Sequence, residues 1–277
     1  MPHPDKGGIP LTKKVGLVLV AVALAVLIAG PAVGGPVVDR IRKAGELRVG
    51  MSGDQPPLNA ADRNGKVIGL EPDLASRMAA DMGVKLEVVR IPFPALLPAL
   101  SEGKIDLILS GMTITPHRNL TVAFVGPYYI TGKAFLTKLE TIASLKNADG
   151  VDRPEYTVVA LKGSTSQLYV EKMLPKAKLV TTKNYDEALD LLIRDKAHVM
   201  VADYHFCALS ALRYKDKGLT TVTAPFTYEP IGIAMPDGDP LLVNWMQNFL
   251  VTLHGSGELK KMSDRWFLKA DWLSELP

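Results

Sequence analysis

The chain has 277 residues, of which 47% are hydrophobic and 22% are charged, and its formal net charge is +3. This composition is that of a globular protein long enough for two domains, and it argues against a disordered chain. The charges are scattered and almost balanced, so we expect no nucleic-acid partner, because such proteins concentrate basic residues on one surface.

The first 35 residues are typical of an export signal. Lys13-Lys14 precede an uncharged apolar run of 15 residues at 15–29, and Ala32-Val33-Gly34 resembles a small-residue cleavage site. We therefore expect a cleaved signal peptide at 1–35 and a periplasmic protein.

The same segment allows a second interpretation as an N-terminal membrane anchor. Residues 15–38 are 24 consecutive positions without a charge, which is long enough to span a bilayer. In both interpretations the remainder is exported. Its net charge falls to about +1, with 29 basic and 28 acidic residues, since residues 1–35 hold three lysines and one aspartate.

The next part of the chain alternates strands and helices. We predict strands at 46–51, 84–89 and 105–109, and helices at 72–82 and 94–100. The first helix has apolar residues at every fourth position (Leu70, Leu74, Met78 and Met82), and Gly83 follows its end.

The second half repeats the alternation after a polar stretch at 146–155. Strands are predicted at 157–161, 178–182, 198–202 and 231–235, and helices from 163 to 173 and at 186–193, 203–212, 240–253 and 257–267. Strand–helix–strand order predicts an α/β fold with parallel or mixed sheets covered by helices.

The segment after the predicted strand 105–109 has the chemistry of a carboxylate site. It reads Ser110-Gly111-Met112-Thr113-Ile114-Thr115-Pro116-His117-Arg118. Main-chain N–H groups, the Thr113 hydroxyl and the Arg118 guanidinium can converge on one anion, and the planar guanidinium pairs with a carboxylate through two hydrogen bonds. This pattern indicates ligand capture more than covalent chemistry.

Four segments with family-like spacing resemble the bacterial solute-binding proteins that feed ABC importers, in the branch that binds polar amino acids. They are 64–75, 97–106, 110–118 and 126–129, and the resemblance covers about 47–267. It implies the type II periplasmic-binding-protein fold, in which two α/β lobes are joined by two crossing hinge strands and a ligand cleft lies between the lobes. The implied division is 37–130 plus 232–277 for lobe 1 and 131–231 for lobe 2.

The resemblance also implies roles for two charged residues. Arg118 binds the α-carboxylate of the ligand, and Asp203 pairs with its α-ammonium. The alternative for Arg118 is a surface salt bridge, and the alternative for Asp203 is an ordinary helix N-cap.

Other candidate ligand contacts are uncharged or weaker. Thr113, Gly111 and Ser110 assist Arg118 in the resemblance, and Thr165 adds a donor from lobe 2. Phe93 is either a wall of the ligand slot or a core residue. The weaker candidates are Lys162 and Ser166.

Two departures from the family pattern bear on the ligand. Ser52 stands where relatives often carry Asp, and Gln55 stands where they often carry Tyr or Phe. A ligand with a cationic side chain would therefore find neither the carboxylate nor the aromatic ring that those residues provide in relatives. The departures favour a neutral polar or small amino acid, unless Asp54 points inward and offsets the loss.

The predicted function is the substrate-binding component of an ABC importer, a non-enzyme that delivers an amino acid to an inner-membrane permease. A monomer is expected, with no cofactor, metal or catalytic residue. Cys207 is expected to be a buried small apolar residue.

Two alternatives belong to other classes. The first is a periplasmic enzyme like cyclohexadienyl (arogenate or prephenate) dehydratase, which needs a general acid such as Asp54, Glu71 or Asp203 in the cleft. The second is a membrane-anchored sensor domain.

Overall fold

The computed structural model describes Met1 and residues 35–143 and 149–277. The predicted export signal and its cleavage site therefore lie outside the described residues. In the described ranges no helix is long and apolar enough to cross a membrane.

Helices and strands alternate along nearly the whole described chain. The helices are α1 Pro36–Ala44, α2 Leu70–Met82, α3 Phe93–Ser101, α4 Glu140–Ala143, α5 Thr165–Met173, α6 Tyr185–Ile193, α7 Tyr204–Arg213, α8 Pro240–Gly255 and α9 Glu258–Phe267. The strands are β1 Glu46–Met51, β2 Asp54–Gln55, β3 Asn59–Ala61, β4 Val67–Ile68, β5 Lys85–Arg90, β6 Leu107–Ile108, β7 Ala123–Thr131, β8 Lys133–Thr137, β9 Thr157–Leu161, β10 Lys178–Thr182, β11 Val199–Asp203, β12 Thr220–Thr221 and β13 Glu229–Met235.

Two five-stranded mixed sheets form the two lobes. The first has the strand order β5-β1-β6-β13-β7, with β5, β1 and β6 parallel and β13 antiparallel to its neighbours. The second has the order β10-β9-β11-β8-β12, with β10, β9 and β11 parallel. The small sheet β2-β3-β4 lies before α2. This arrangement is the predicted two-lobe α/β fold.

The chain crosses between the sheets at neighbouring positions. β7 belongs to the first sheet and β8 to the second, with Gly132 between them, and β13 returns the chain to the first sheet. β7 and β13 pair side by side from Thr131 opposite Glu229 onward. The lobe boundaries 37–130 plus 232–277 and 131–231 stay a proposal. β7 extends one residue and β13 three residues past them, at the two crossings.

Central strands of the second sheet are apolar along their length because helices cover both faces. Val158, Val159 and Ala160 of β9 are buried completely, as are Val199 and Val201 of β11. Such continuous apolar runs are expected for parallel strands buried on both sides. They explain why these strands were predicted within one residue of their observed bounds.

Several elements differ from the sequence-based predictions. The strand predicted at 105–109 is reduced to β6. At its first end the Asp106 carboxylate accepts hydrogen bonds from the Arg48 main-chain N–H at 2.8 Å and from the Arg40 side chain. Helix α1 was not predicted, although Pro36 at its first turn and Gly45 at φ +67° after its end are typical helix signals. β7 was not predicted either.

Candidate ligand-binding cleft

Arg118 lies buried between the two lobes. It opens a 3₁₀ turn, Arg118–Leu120, after the loop that follows β6. Its Nη1 donates to the Thr113 carbonyl oxygen at 2.9 Å, and its Nη2 donates across the cleft to the Gly163 carbonyl oxygen at 3.0 Å. The guanidinium carbon is 5.9 Å from the centre of the Phe93 ring. Arg118 is therefore not the surface salt bridge of the alternative interpretation.

The charge of Arg118 has no direct carboxylate partner within the part of the chain that the structure describes. Burial lowers the pKa of Arg118 to about 10, while the fields of Glu229 and Asp203 act in the opposite direction. The guanidinium is therefore still a cation at neutral pH. A buried cation held by neutral carbonyl groups is suited to pair with an anion.

Threonines from both lobes meet beside this cation. The hydroxyl oxygens of Thr113 and Thr165 are 3.3 Å apart. Thr165 also donates to Glu229 Oε2 at 3.0 Å, and Thr227 donates to Glu229 Oε1 at 3.1 Å. The predicted residues Thr113 and Thr165 are thus brought together with an acid that the sequence did not reveal.

Asp203 is bound by a lysine that was not predicted. It is the last residue of β11 and precedes α7, but its side chain makes no capping hydrogen bond to that helix. Its Oδ1 instead accepts from Lys133 Nζ at 2.6 Å, and the same Nζ lies 3.6 Å from Glu229 Oε2. All three side chains are buried, and we call Lys133, Asp203 and Glu229 the buried charge cluster.

The cluster was missed because its members are separated along the chain. Lys133 and Glu229 lie at the two crossings between sheets, and Asp203 at the end of a third strand. One local signal existed, since Lys133 is the only charged residue of β8, Lys133-Ala134-Phe135-Leu136-Thr137.

Ser52, Gln55 and Ser110 are buried and bound to one another. Ser110 Oγ accepts from the Ser52 main-chain N–H at 2.9 Å. Gln55 Nε2 donates to Ser52 Oγ at 3.0 Å and to the Ser110 carbonyl oxygen at 3.2 Å. These three predicted residues lie together. Ser52 and Gln55, the two residues that depart from the family pattern, are hydrogen-bonded to each other, and neither side chain carries a charge.

Gly111 is held by an acid from α2. Its main-chain N–H donates to Glu71 Oε1 at 2.6 Å, and Glu71 also accepts hydrogen bonds from Tyr128 and Asn59. Burial raises the pKa of Glu71 to about 7, and these three hydrogen bonds limit the rise. Donation from Gly111 to a ligand would compete with the bond to Glu71.

Asp54 spans the cleft at another point. Its Oδ2 accepts from the main-chain N–H of Tyr185, the first residue of α6, at 2.8 Å. Its Oδ1 has no hydrogen-bond partner among the described residues, and burial raises the pKa of its carboxyl group.

The two weaker candidates lie apart from these contacts. Lys162 is exposed. Ser166 is completely buried, and its Oγ has no partner in the described ranges. The neighbouring Ser164 is the N-cap of α5 and accepts from Gln167 N at 3.2 Å. Cys207 is buried as expected, and burial raises the pKa of its thiol.

The fold and cleft define a two-lobe α/β binding protein with its polar groups between the lobes. Residues 47–269 match the family of bacterial extracellular solute-binding proteins, family 3. The chain belongs to this family, and the predicted family and fold are confirmed.

Individual relatives differ in what they bind or do. The L-arginine-binding protein of Pseudomonas aeruginosa is 30% identical over 80% of this chain and 87% of its own length. The cyclohexadienyl dehydratase of the same species is 25% identical over 82% of this chain and 85% of its own length. A solved binding component of an ABC transporter from Wolinella succinogenes, complexed with lysine, is 36% identical, with a TM-score of 0.79, over 83% of this chain and 99% of its own.

Proposed function

We propose that this protein is the substrate-binding component of an ABC importer and captures an α-amino acid between its lobes. Arg118 binds the α-carboxylate, with Thr113 and Thr165 as further donors, and Asp203 with Glu229 receives the α-ammonium. The protein is exported to the periplasm, acts as a monomer and delivers the ligand to an inner-membrane permease. The family and its binding-protein members support this assignment.

The observation that carries the proposal is the separation of charge in the cleft. A buried guanidinium has no acid partner among the described residues, while two buried acids share one lysine. An α-amino acid carries one carboxylate and one ammonium, so it complements both sides. Burying it would satisfy charges that are costly to leave unpaired.

Contacts between the lobes support ligand capture by closure. Arg118 binds Gly163, and Asp54 binds the N–H of Tyr185, so groups of both lobes lie within hydrogen-bond distance in the closed form. A ligand that contacts both lobes favours the closed state by its additional contacts there.

We further propose a neutral polar or small amino acid as the ligand. Ser52 and Gln55 carry no charge and are bound to each other. Asp54, which would offset their neutrality, is directed to α6, since its Oδ2 accepts from the main-chain N–H of Tyr185 at the start of that helix.

A thermal-shift screen of the purified protein against the twenty amino acids tests the proposal. A ligand that binds the folded state raises the melting temperature through linkage, with about 2.7 kcal/mol of stabilisation at a hundredfold excess over its dissociation constant. We expect the largest shifts with neutral polar or small amino acids. The absence of a shift with every amino acid would contradict the proposed function.

A dehydratase is the second candidate, because one relative has that activity and Asp54 is a cleft carboxyl with a raised pKa. Such a group is suited to act as a general acid. Incubation with prephenate and measurement of phenylpyruvate absorbance tests it. Product formation by the wild-type protein that is lost in Asp54→Asn would favour the enzyme over the transporter component.

A further inference from the structure

Lys133 occupies an unusual position for a lysine, since its whole side chain is buried at the crossing between the lobes. Lysine is rarely buried without a partner, because removing its ammonium from water is costly. Here the ammonium lies between two acids, at 2.6 Å from Asp203 Oδ1 and 3.6 Å from Glu229 Oε2. The lysine therefore fills the space between the carboxylates and neutralises one of their two charges.

The remaining charge of the buried charge cluster is one negative unit. Two carboxylates and one ammonium leave a single negative charge, and Arg118 supplies a single positive charge elsewhere in the cleft. Asp54 lies at another point of the cleft, where its Oδ2 accepts from the N–H of Tyr185. The buried charge cluster thus has the charge to receive one ammonium group, and no further net negative charge remains within it for a second cation.

We propose that Lys133 is a specificity-determining residue that makes the cleft select amino acids with one ammonium group over dibasic amino acids. The inference rests on the proposed function and names the substrate class of the same site. A dibasic ligand brings a second cation, and Lys133 already takes the place between Asp203 and Glu229. Selection arises by repulsion and by occupied space, which together exclude the wrong ligand.

Removal of the lysine tests this role. Dissociation constants of L-glutamine and L-lysine are measured by calorimetry for the wild-type protein and for Lys133→Met. We expect the wild type to prefer glutamine. In Lys133→Met the ratio of the two dissociation constants should shift in favour of L-lysine by about tenfold or more. The reason is that the carboxylates that bind Lys133 become free to bind a second ammonium group.

Two further variants separate charge from structure. Lys104→Met removes a charge from an exposed lysine of the first lobe and should leave the ratio within about threefold of wild type. The double variant Lys133→Met with Glu229→Gln again leaves one carboxylate, so it should restore the preference for glutamine. If Lys133→Met alone does not fold, Glu229→Gln should weaken glutamine binding by about tenfold, and the double variant should recover it.

The outcomes distinguish this inference from the proposed function. Failure of the wild type to bind any amino acid overturns both. Binding by the wild type with an unchanged ratio in folded Lys133→Met overturns the role of Lys133 alone. A wild-type preference for lysine over glutamine, or no recovery in the double variant, also overturns it.

Discussion

The carboxylate of Asp54 accepts a hydrogen bond from the main-chain N–H of Tyr185 at 2.8 Å, and this bond joins the two lobes. Tyr185 begins α6, so the acceptor lies at the positive end of a helix, where N–H groups need partners. Since Asp54 lies in the first lobe's region and Tyr185 in the second's, the bond contributes to closure and is lost when the lobes separate.

Substitution of Asp54 should therefore weaken ligand binding by weakening closure. We expect Asp54→Ala to raise the dissociation constant of the best amino-acid ligand by about 3- to 10-fold, the equivalent of one hydrogen bond of about 1 kcal/mol. Asp54→Asn keeps an acceptor oxygen and should stay within about threefold of wild type. Calorimetry on the matched pair provides the measurement, and equal losses in both variants would show that charge, not the acceptor, is what matters.

Substitution of Arg118 should remove most of the affinity. Arg118→Gln cannot supply a positive charge, and hydrogen bonds to charged groups contribute about 1.5–3 kcal/mol, so we expect a loss of about 10- to 100-fold. Arg153→Gln, an exposed arginine, is the control and should bind normally. Both are measured by calorimetry after urea unfolding has established that each variant folds. Normal binding by Arg118→Gln would contradict the carboxylate role.

Gly111 should be intolerant of a side chain for two separable reasons. Its φ is +59°, and an added Cβ would lie 2.3 Å from Gln55 Oε1. We expect Gly111→Ala to lower the free energy of unfolding by more than the 1–2 kcal/mol that is roughly typical of a left-handed residue. Gly103→Ala is the matched control, since its φ is +68° with no atom within 4 Å of the added Cβ. Equal losses in urea unfolding would show that contact with Gln55 has no energetic effect.

Glu71 should make stability depend on pH. Burial raises its pKa from 4.5 to about 7 in the folded protein, so the folded state binds the proton more tightly than the unfolded chain. The contribution is then fully present below pH 4.5 and is lost as pH rises through about 7. Relative to Glu71→Gln, the wild type should therefore gain stability between pH 8 and pH 5, as measured by urea unfolding at about these two values. A difference that is independent of pH would contradict the raised pKa.

Local patterns predicted much of the fold. The alternation of apolar strands and helices gave β9 and β10 at their observed bounds and α6 within one residue. For β9 the reason is burial on both faces, which leaves a continuous apolar run. The loop from Ser110 to Arg118 is predicted as a carboxylate site from a local pattern too. Its small residues, threonine and arginine are consecutive, so a single segment holds the pattern.

Other features required the folded chain. The Asp106 carboxylate at the first end of β6 binds arginines of α1 and β1, and no local pattern reveals these contacts. The partner of Asp203 is 70 positions away, and the bond of Asp54 to Tyr185 spans 131 positions. Gly111 belongs to the loop pattern that the sequence shows, but the partner of its main-chain N–H is Glu71, 40 positions earlier.

The sequence by itself determined the α/β class, the family resemblance and the cation at Arg118, since each depends on residues that are neighbours along the chain. The tertiary structure alone decided which charges are paired and which are free. Lys133 lies opposite Asp203 because β8 pairs with β11, and Glu229, 96 positions after Lys133, joins them because β13 runs beside β7. These pairings decide which carboxylates can bind a ligand, because a buried charge pairs with the opposite charge that the fold places beside it.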